Sequence, residues 1–200
     1  MNKPSLPFRL VLAGLLAAIL TECAAPLSPV VCHSLLGADT GAATAVRADG
    51  PALVVGPVSV PDLLHNSRLA TGSDGRYQLA ENHRWAGAVD REIGRALAER
   101  LAADLATERV TLFPQAPKAK TAWRVQVEVL ALDGEPGQWA HLEVRWTLLD
   151  PAGTGPRTRR GDYREPLTEP GHGAWVAGQR TNLARLGADI AAVIRTRGVD

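Results

Sequence analysis

Apolar and polar positions alternate most regularly between residues 124 and 148. Val125, Val127 and Val129 alternate with Arg124, Gln126 and Glu128, and Ala140, Leu142, Val144, Trp146 and Leu148 alternate with His141, Glu143, Arg145 and Thr147. A period of two predicts half-buried strands, and the short link Asp133-Gly134-Glu135-Pro136-Gly137 predicts that the two pair antiparallel. Ala52–Val60 is rich in β-branched residues and reads as a strand, with Gly56-Pro57 marking a bulge or an edge because proline donates no ladder hydrogen bond. Ser67–Thr71 and Arg76–Leu79 flank Gly72-Ser73-Asp74-Gly75, a hairpin signal. Val110–Phe113, closed by Pro114, is a short strand, and Arg157–Leu167 a polar, edge-like one.

Two stretches carry a helical period. After Asn82 as N-cap, Trp85, Val89, Ile93, Leu97, Leu101 and Leu105 recur every four residues, with Asp90, Arg91, Arg95, Glu99, Arg100 and Asp104 on the other side. Trp175, Val176, Gln179, Leu183, Leu186, Ile190, Val193 and Ile194 outline a second amphipathic helix that ends near Gly198. Two one-sided helices cannot bury their stripes alone, whereas one face of a sheet accepts both. The expected fold class is α+β, a two-layer sandwich with a mainly antiparallel sheet and two amphipathic helices on one face.

The N-terminus has a different character. Lys3 and Arg9 precede Leu10–Leu20, an unbroken apolar run that is too short as a helix, at about 1.5 Å per residue, to cross roughly 30 Å of hydrocarbon. A basic start, a short apolar run and small residues form an export signal. Leu20-Thr21-Glu22-Cys23 resembles a lipobox, with Glu22 where a small residue is usual. The expected organisation is a signal peptide over 1–22, a lipidated flexible tether over 23–49 with Cys23 as the acylated residue, and an α+β domain over 50–200. Several acyl chains, at about 0.8 kcal/mol per buried CH₂, would hold the chain on a membrane. Ala24 after the cysteine favours the outer membrane by the familiar sorting tendency. If Cys23 is not acylated, Cys23 and Cys32 could instead close one short disulfide loop.

Charge and chemistry narrow the function. Removing Lys3, Arg9 and Glu22 leaves basic and acidic residues in balance, and the largest basic cluster is Arg157/Arg159/Arg160, which argues against a nucleic-acid partner. The five histidines (33, 65, 83, 141, 172) lack metal-ligand spacing, and His141 reads as a solvated strand residue. No serine sits in a G-x-S-x-G elbow, and Gly171-His172-Gly173 lacks the lysine of a phosphate loop. Asp90 and Glu92 are explained by the dipole of the first helix. No catalytic residue, cofactor or metal site is expected.

One combination of runs has a counterpart. Val58-Ser59-Val60-Pro61-Asp62-Leu63-Leu64, then Asn82-His83-Arg84-Trp85-Ala86 before a leucine-spaced helix, then paired strands over Trp123–Leu130 and His141–Leu149 and a C-terminal helix over Ala174–Arg195, resembles the ABC-type transport auxiliary lipoproteins of the YmbA/PqiC-like group. The chain departs from that pattern at Cys32-His33-Ser34-Leu35, where a Tyr-Tyr pair is common, and at Ala88, where proline is common. The resemblance implies a non-catalytic outer-membrane lipoprotein, on the periplasmic face, auxiliary to ABC transporter and MCE-domain subunits that move lipid between membranes. A homo-oligomer is compatible with it. Pro61 and Trp85 read first as a turn and as an anchor where the helix begins, and second as interface residues, since aromatics concentrate at hot spots. The competing readings are a structural or assembly lipoprotein that binds another envelope protein or the cell wall, and a periplasmic hydrolase.

Overall fold

The structure is a computed structural model. It describes residues 28–37, 47, 49–117, 121–153 and 155–197, so the signal peptide over 1–22 and the Cys23 acylation position lie outside the described residues. Among the described residues, eight strands and two helices follow in the order β1 (Val31–His33), β2 (Leu53–Ser59), a 3-10 turn (Asp62–His65), β3 (Arg68–Ser73), β4 (Arg76–Trp85), α1 (Val89–Asp104), β5 (Val110–Leu112), β6 (Trp123–Glu135), β7 (Trp139–Leu149), β8 (Arg157–Pro166) and α2 (His172–Arg197). All eight strands form one open sheet, and the fold is α+β as expected.

The long strand β6 organises the sheet. Along one edge it pairs antiparallel with β7, which pairs antiparallel with β8. Its other edge is shared: the first half takes β2 in parallel, and Gly134 near its end meets Gly72 of β3. β5 lies parallel outside β2, while β4 pairs antiparallel with β3 and carries β1 in parallel. The sheet is therefore mixed, with antiparallel pairs in the majority.

Both helices cover the same face. Ile93, Leu97 and Leu101 of α1 and Trp175, Leu186 and Ile190 of α2 are fully buried, against Leu53, Val125, Leu142 and Val144 of the sheet. Each such side chain contributes about 1.5–3 kcal/mol when removed from water. The two helices also touch one another, with Gly187 of α2 seated over Arg100 and Leu97.

The 125–129 alternation ends at Leu130 because a bulge shifts the β6–β7 register between Val129 and Ala131. The strand then resumes to Glu135, beyond the point where the pattern predicts a turn. Gly56-Pro57 marks a bulge, since the β2–β6 register shifts between Val55 and Val58. It also marks the point where the β5 side of β2 is left open, since β5 pairs only with Leu53–Val55.

Two further expectations are corrected. Asn82 is not the N-cap of α1, and Trp85 is not helical: both belong to β4, and the helix begins at Val89 after Ala88, which provides no side-chain cap. The four-residue spacing extended back to Trp85 because that ring enters the same core from the strand before the helix. The flexible-tether reading of 23–49 also fails at 31–37, where β1 pairs with β4 and Leu35 is only 2% exposed.

Candidate functional site

The segment 31–37 is strapped to the domain by three groups of contacts. β1 runs beside the end of β4, with Val31 opposite His83, Cys32 opposite Arg84 and His33 opposite Trp85, and the Ala86 N–H donates to the His33 carbonyl at 2.7 Å. The buried Glu92 of α1 turns its carboxylate to the strap, accepting the Ser34 hydroxyl at 2.9 Å and the Leu35 N–H at 2.6 Å. Arg180 of α2 donates through Nε and Nη2 to the Ser34 carbonyl, at 3.0 and 2.6 Å. Glu92 is therefore more than a helix-dipole residue. Its partners lie more than fifty residues away, so local helix logic could not reveal them.

Three of the five histidines meet beside this strap. His33 Nε2 lies 2.9 Å from His83 Nδ1, and the His83 ring stacks on His172 at the start of α2, with centroids 4.3 Å apart. Burial, then His83, then the Arg180 guanidinium hold the His33 pKa below its usual value. Burial, then His83 and His33, do the same for His172. The rings stack and hydrogen-bond with one another instead of converging on a point. Among the described residues no group of His, Cys, Asp and Glu could hold a metal ion. Cys32 is an exposed free thiol.

The helix-free face of the sheet is laced by cross-strand charge pairs. His141 is not simply solvated: Nδ1 lies 2.8 Å from Asp133 Oδ1 and Nε2 lies 3.1 Å from Asp162 Oδ1. Arg145 bonds Glu128 at 2.6 Å, Arg160 pairs with Glu143, and the Arg164 guanidinium covers the Trp139 ring at 3.9 Å. On the opposite side the buried Gln179 and Asn182 of α2 serve the backbone. Gln179 Nε2 donates to the carbonyls of Asp133 and His141, and Asn182 Nδ2 donates to that of Ala140. Helix and sheet are thus joined by polar bonds at the β6–β7 turn as well as by packing.

Of the two expected interface residues, Pro61 is exposed ahead of the 3-10 turn. Trp85 is 5% exposed, packed 6.0 Å from the Trp175 ring, and its Nε1 is buried without a hydrogen-bond partner. Among the described residues, one surface groove is lined by Arg124 and Asp150, and another by Arg159, Arg160 and Asp189 with Trp146; neither of these two presents a nucleophile-and-base pair. Among the described residues no helix is long and apolar enough to cross a membrane.

Residues 34–191 match the family described as the ABC-type transport auxiliary lipoprotein component. The chain belongs to that family. The match begins at Ser34, inside the strap, so the auxiliary-component domain starts earlier than the sequence pattern indicated. In fold this auxiliary lipoprotein is similar to a crystal structure of an uncharacterized protein, at 19% identity and a TM-score of 0.67, covering 84% of this chain and 99% of that one. It is also similar to a Xanthomonas campestris protein of the DUF330 family, at 13% identity and a TM-score of 0.60, covering 82% and 93%. No curated protein matches it in sequence.

Proposed function

We propose that this auxiliary component is a non-catalytic lipoprotein, acylated at Cys23 and held on the periplasmic face of the outer membrane, that serves an ABC/MCE-type system moving lipid between membranes. The family match over residues 34–191 carries this reading. The N-terminal pattern Lys3–Cys23 supports export and an anchor. The charge-balanced composition and the absence of a nucleophile-and-base pair from the described grooves favour docking over chemistry. In this role the domain presents its surface, Pro61 included, to transporter or MCE-domain subunits, while the acyl chains supply the membrane attachment.

Tagged protein purified from envelopes should bring down ABC or MCE-domain subunits, and intact mass of the mature N-terminus should show an acylated Cys23. Repeated recovery of a barrel protein or peptidoglycan without any transporter subunit would replace this reading with a structural lipoprotein. An unmodified N-terminus would remove the anchor.

A further inference from the structure

We infer that residues 31–37 form a pH-sensitive strap, docked on the domain at neutral pH and released when the His33–His83–His172 cluster takes up protons. The geometry carries the argument. At 2.9 Å the contact between His33 Nε2 and His83 Nδ1 is an N–H···N bond, which needs one of the two facing nitrogens unprotonated. When both are protonated, two donors face each other and the bond is lost. His172 stacks on His83 at 4.3 Å, so a third charge would fall on the same spot.

The charged groups that act on His33 and His172 all disfavour a further positive charge. His33 faces His83 from β4 and the Arg180 guanidinium from α2, both unfavourable to a further positive charge. His172 faces His83 and His33. On β4, Arg84 lies opposite Cys32, and the nearby Glu92 carboxylate of α1 is directed at Ser34 and Leu35. One cluster therefore joins the strap (His33), the sheet (His83) and the start of α2 (His172).

The sign follows from linkage. In the docked state His33 and His172 resist protonation relative to free imidazole, so the released strap binds more protons. Docking is fully favoured above about pH 6.5, and release gains as pH falls below it. Release would free seven residues, extending the reach of the N-terminal segment by up to about 23 Å at roughly 3.3 Å per residue. That last consequence rests on the proposed anchor at Cys23; the release does not.

Hydrogen exchange with mass spectrometry on the purified full-length exported protein, corrected for intrinsic rates, tests this. Between pH 7.5 and 5.5 the protection of residues 31–36 should fall about tenfold or more, while that of 93–101 in α1 stays within about threefold. His33→Gln and His172→Gln, made singly, should each flatten the dependence. Imidazole NMR titrations of the wild-type protein should place the His33 and His172 midpoints in the same pH range as the loss of protection. A pH-independent strap, a fall shared equally by α1, or a pH dependence undiminished in both variants would overturn the inference. None of these outcomes bears on transporter recovery, which tests the function separately.

Discussion

The Glu92 carboxylate of α1 accepts the backbone N–H of Leu35 at 2.6 Å, tying the first turn of a helix to the strap that precedes it by more than fifty residues. A buried acid in a first turn gains from the helix dipole, but here the same oxygen also satisfies a main-chain donor that burial would otherwise orphan.

Glu92→Ala should remove that acceptor and leave the Leu35 N–H and Ser34 hydroxyl without it. The expected cost is about 1–3 kcal/mol, or a Tm lower by several degrees in a domain of this size. Glu92→Gln keeps one acceptor oxygen and should lose less. Thermal melts of the two variants, with exchange at residues 31–36 as the local readout, check the order. Equal losses would mean that an uncharged acceptor oxygen does not replace the carboxylate.

Leu97 is fully buried between α1, the sheet and α2. Leu97→Ala should cost about 2–5 kcal/mol, and Leu97→Asp should keep α1 from docking, because an unpaired carboxylate in that core has no partner. A cooperative melt of the aspartate variant at the wild-type temperature would refute the assignment of the helix face.

Gly134 has φ +130°, and a β-carbon there would lie 2.4 Å from the Trp139 carbonyl oxygen and 3.0 Å from Trp175 Nε1. Gly134→Ala should therefore be strongly destabilising. Gly153→Ala, at φ +71° with no atom within 4 Å of the added carbon, should cost only the backbone penalty of about 1–2 kcal/mol. Denaturant midpoints of the two proteins measure the difference. Gln179→Leu, which removes the Gln179 donor from the carbonyls of Asp133 and His141 while Trp175 Nε1 still donates to that of Asp133 at 3.3 Å, belongs in the same series, with a loss of about 0.5–1.5 kcal/mol for each hydrogen bond removed.

Burial, followed by the hydrogen bond from its hydroxyl to Asp189 at 2.7 Å and that carboxylate's charge, raises the Tyr163 pKa well above the usual phenol value. A folded-state pKa above the unfolded one gives stability that is complete below about pH 10 and declines as pH rises past it. Denaturation midpoints at pH 9 and pH 11 should fall more steeply for the wild-type protein than for Tyr163→Phe. Identical slopes would show that this hydroxyl plays no part in the alkaline loss.

The sequence by itself determined the fold class and most of the elements. The period-two runs over 125–129 and 140–148, the Asp74-Gly75 hairpin signal and the spacing Val89–Ile93–Leu97–Leu101 are local consequences of which face of each segment must be buried. It also carried the family, through the order of several short runs.

Tertiary structure decided what depends on partners distant along the chain. The bulge between Val129 and Ala131 is a matter of pairing, and Trp85 joins the α1 stripe only because β4 delivers it to the same core. The strap reads as part of a flexible tether because Val31–His33 is short and its stabilising bonds go to Glu92 and Arg180, whose roles no local pattern reveals. His33, His83 and His172 likewise show no common spacing in sequence. They meet because β1 lies parallel to β4 and α2 begins beside that pair. Periodicity reports burial along one element, whereas hydrogen bonds and charge clusters between elements exist only once the sheet order is set.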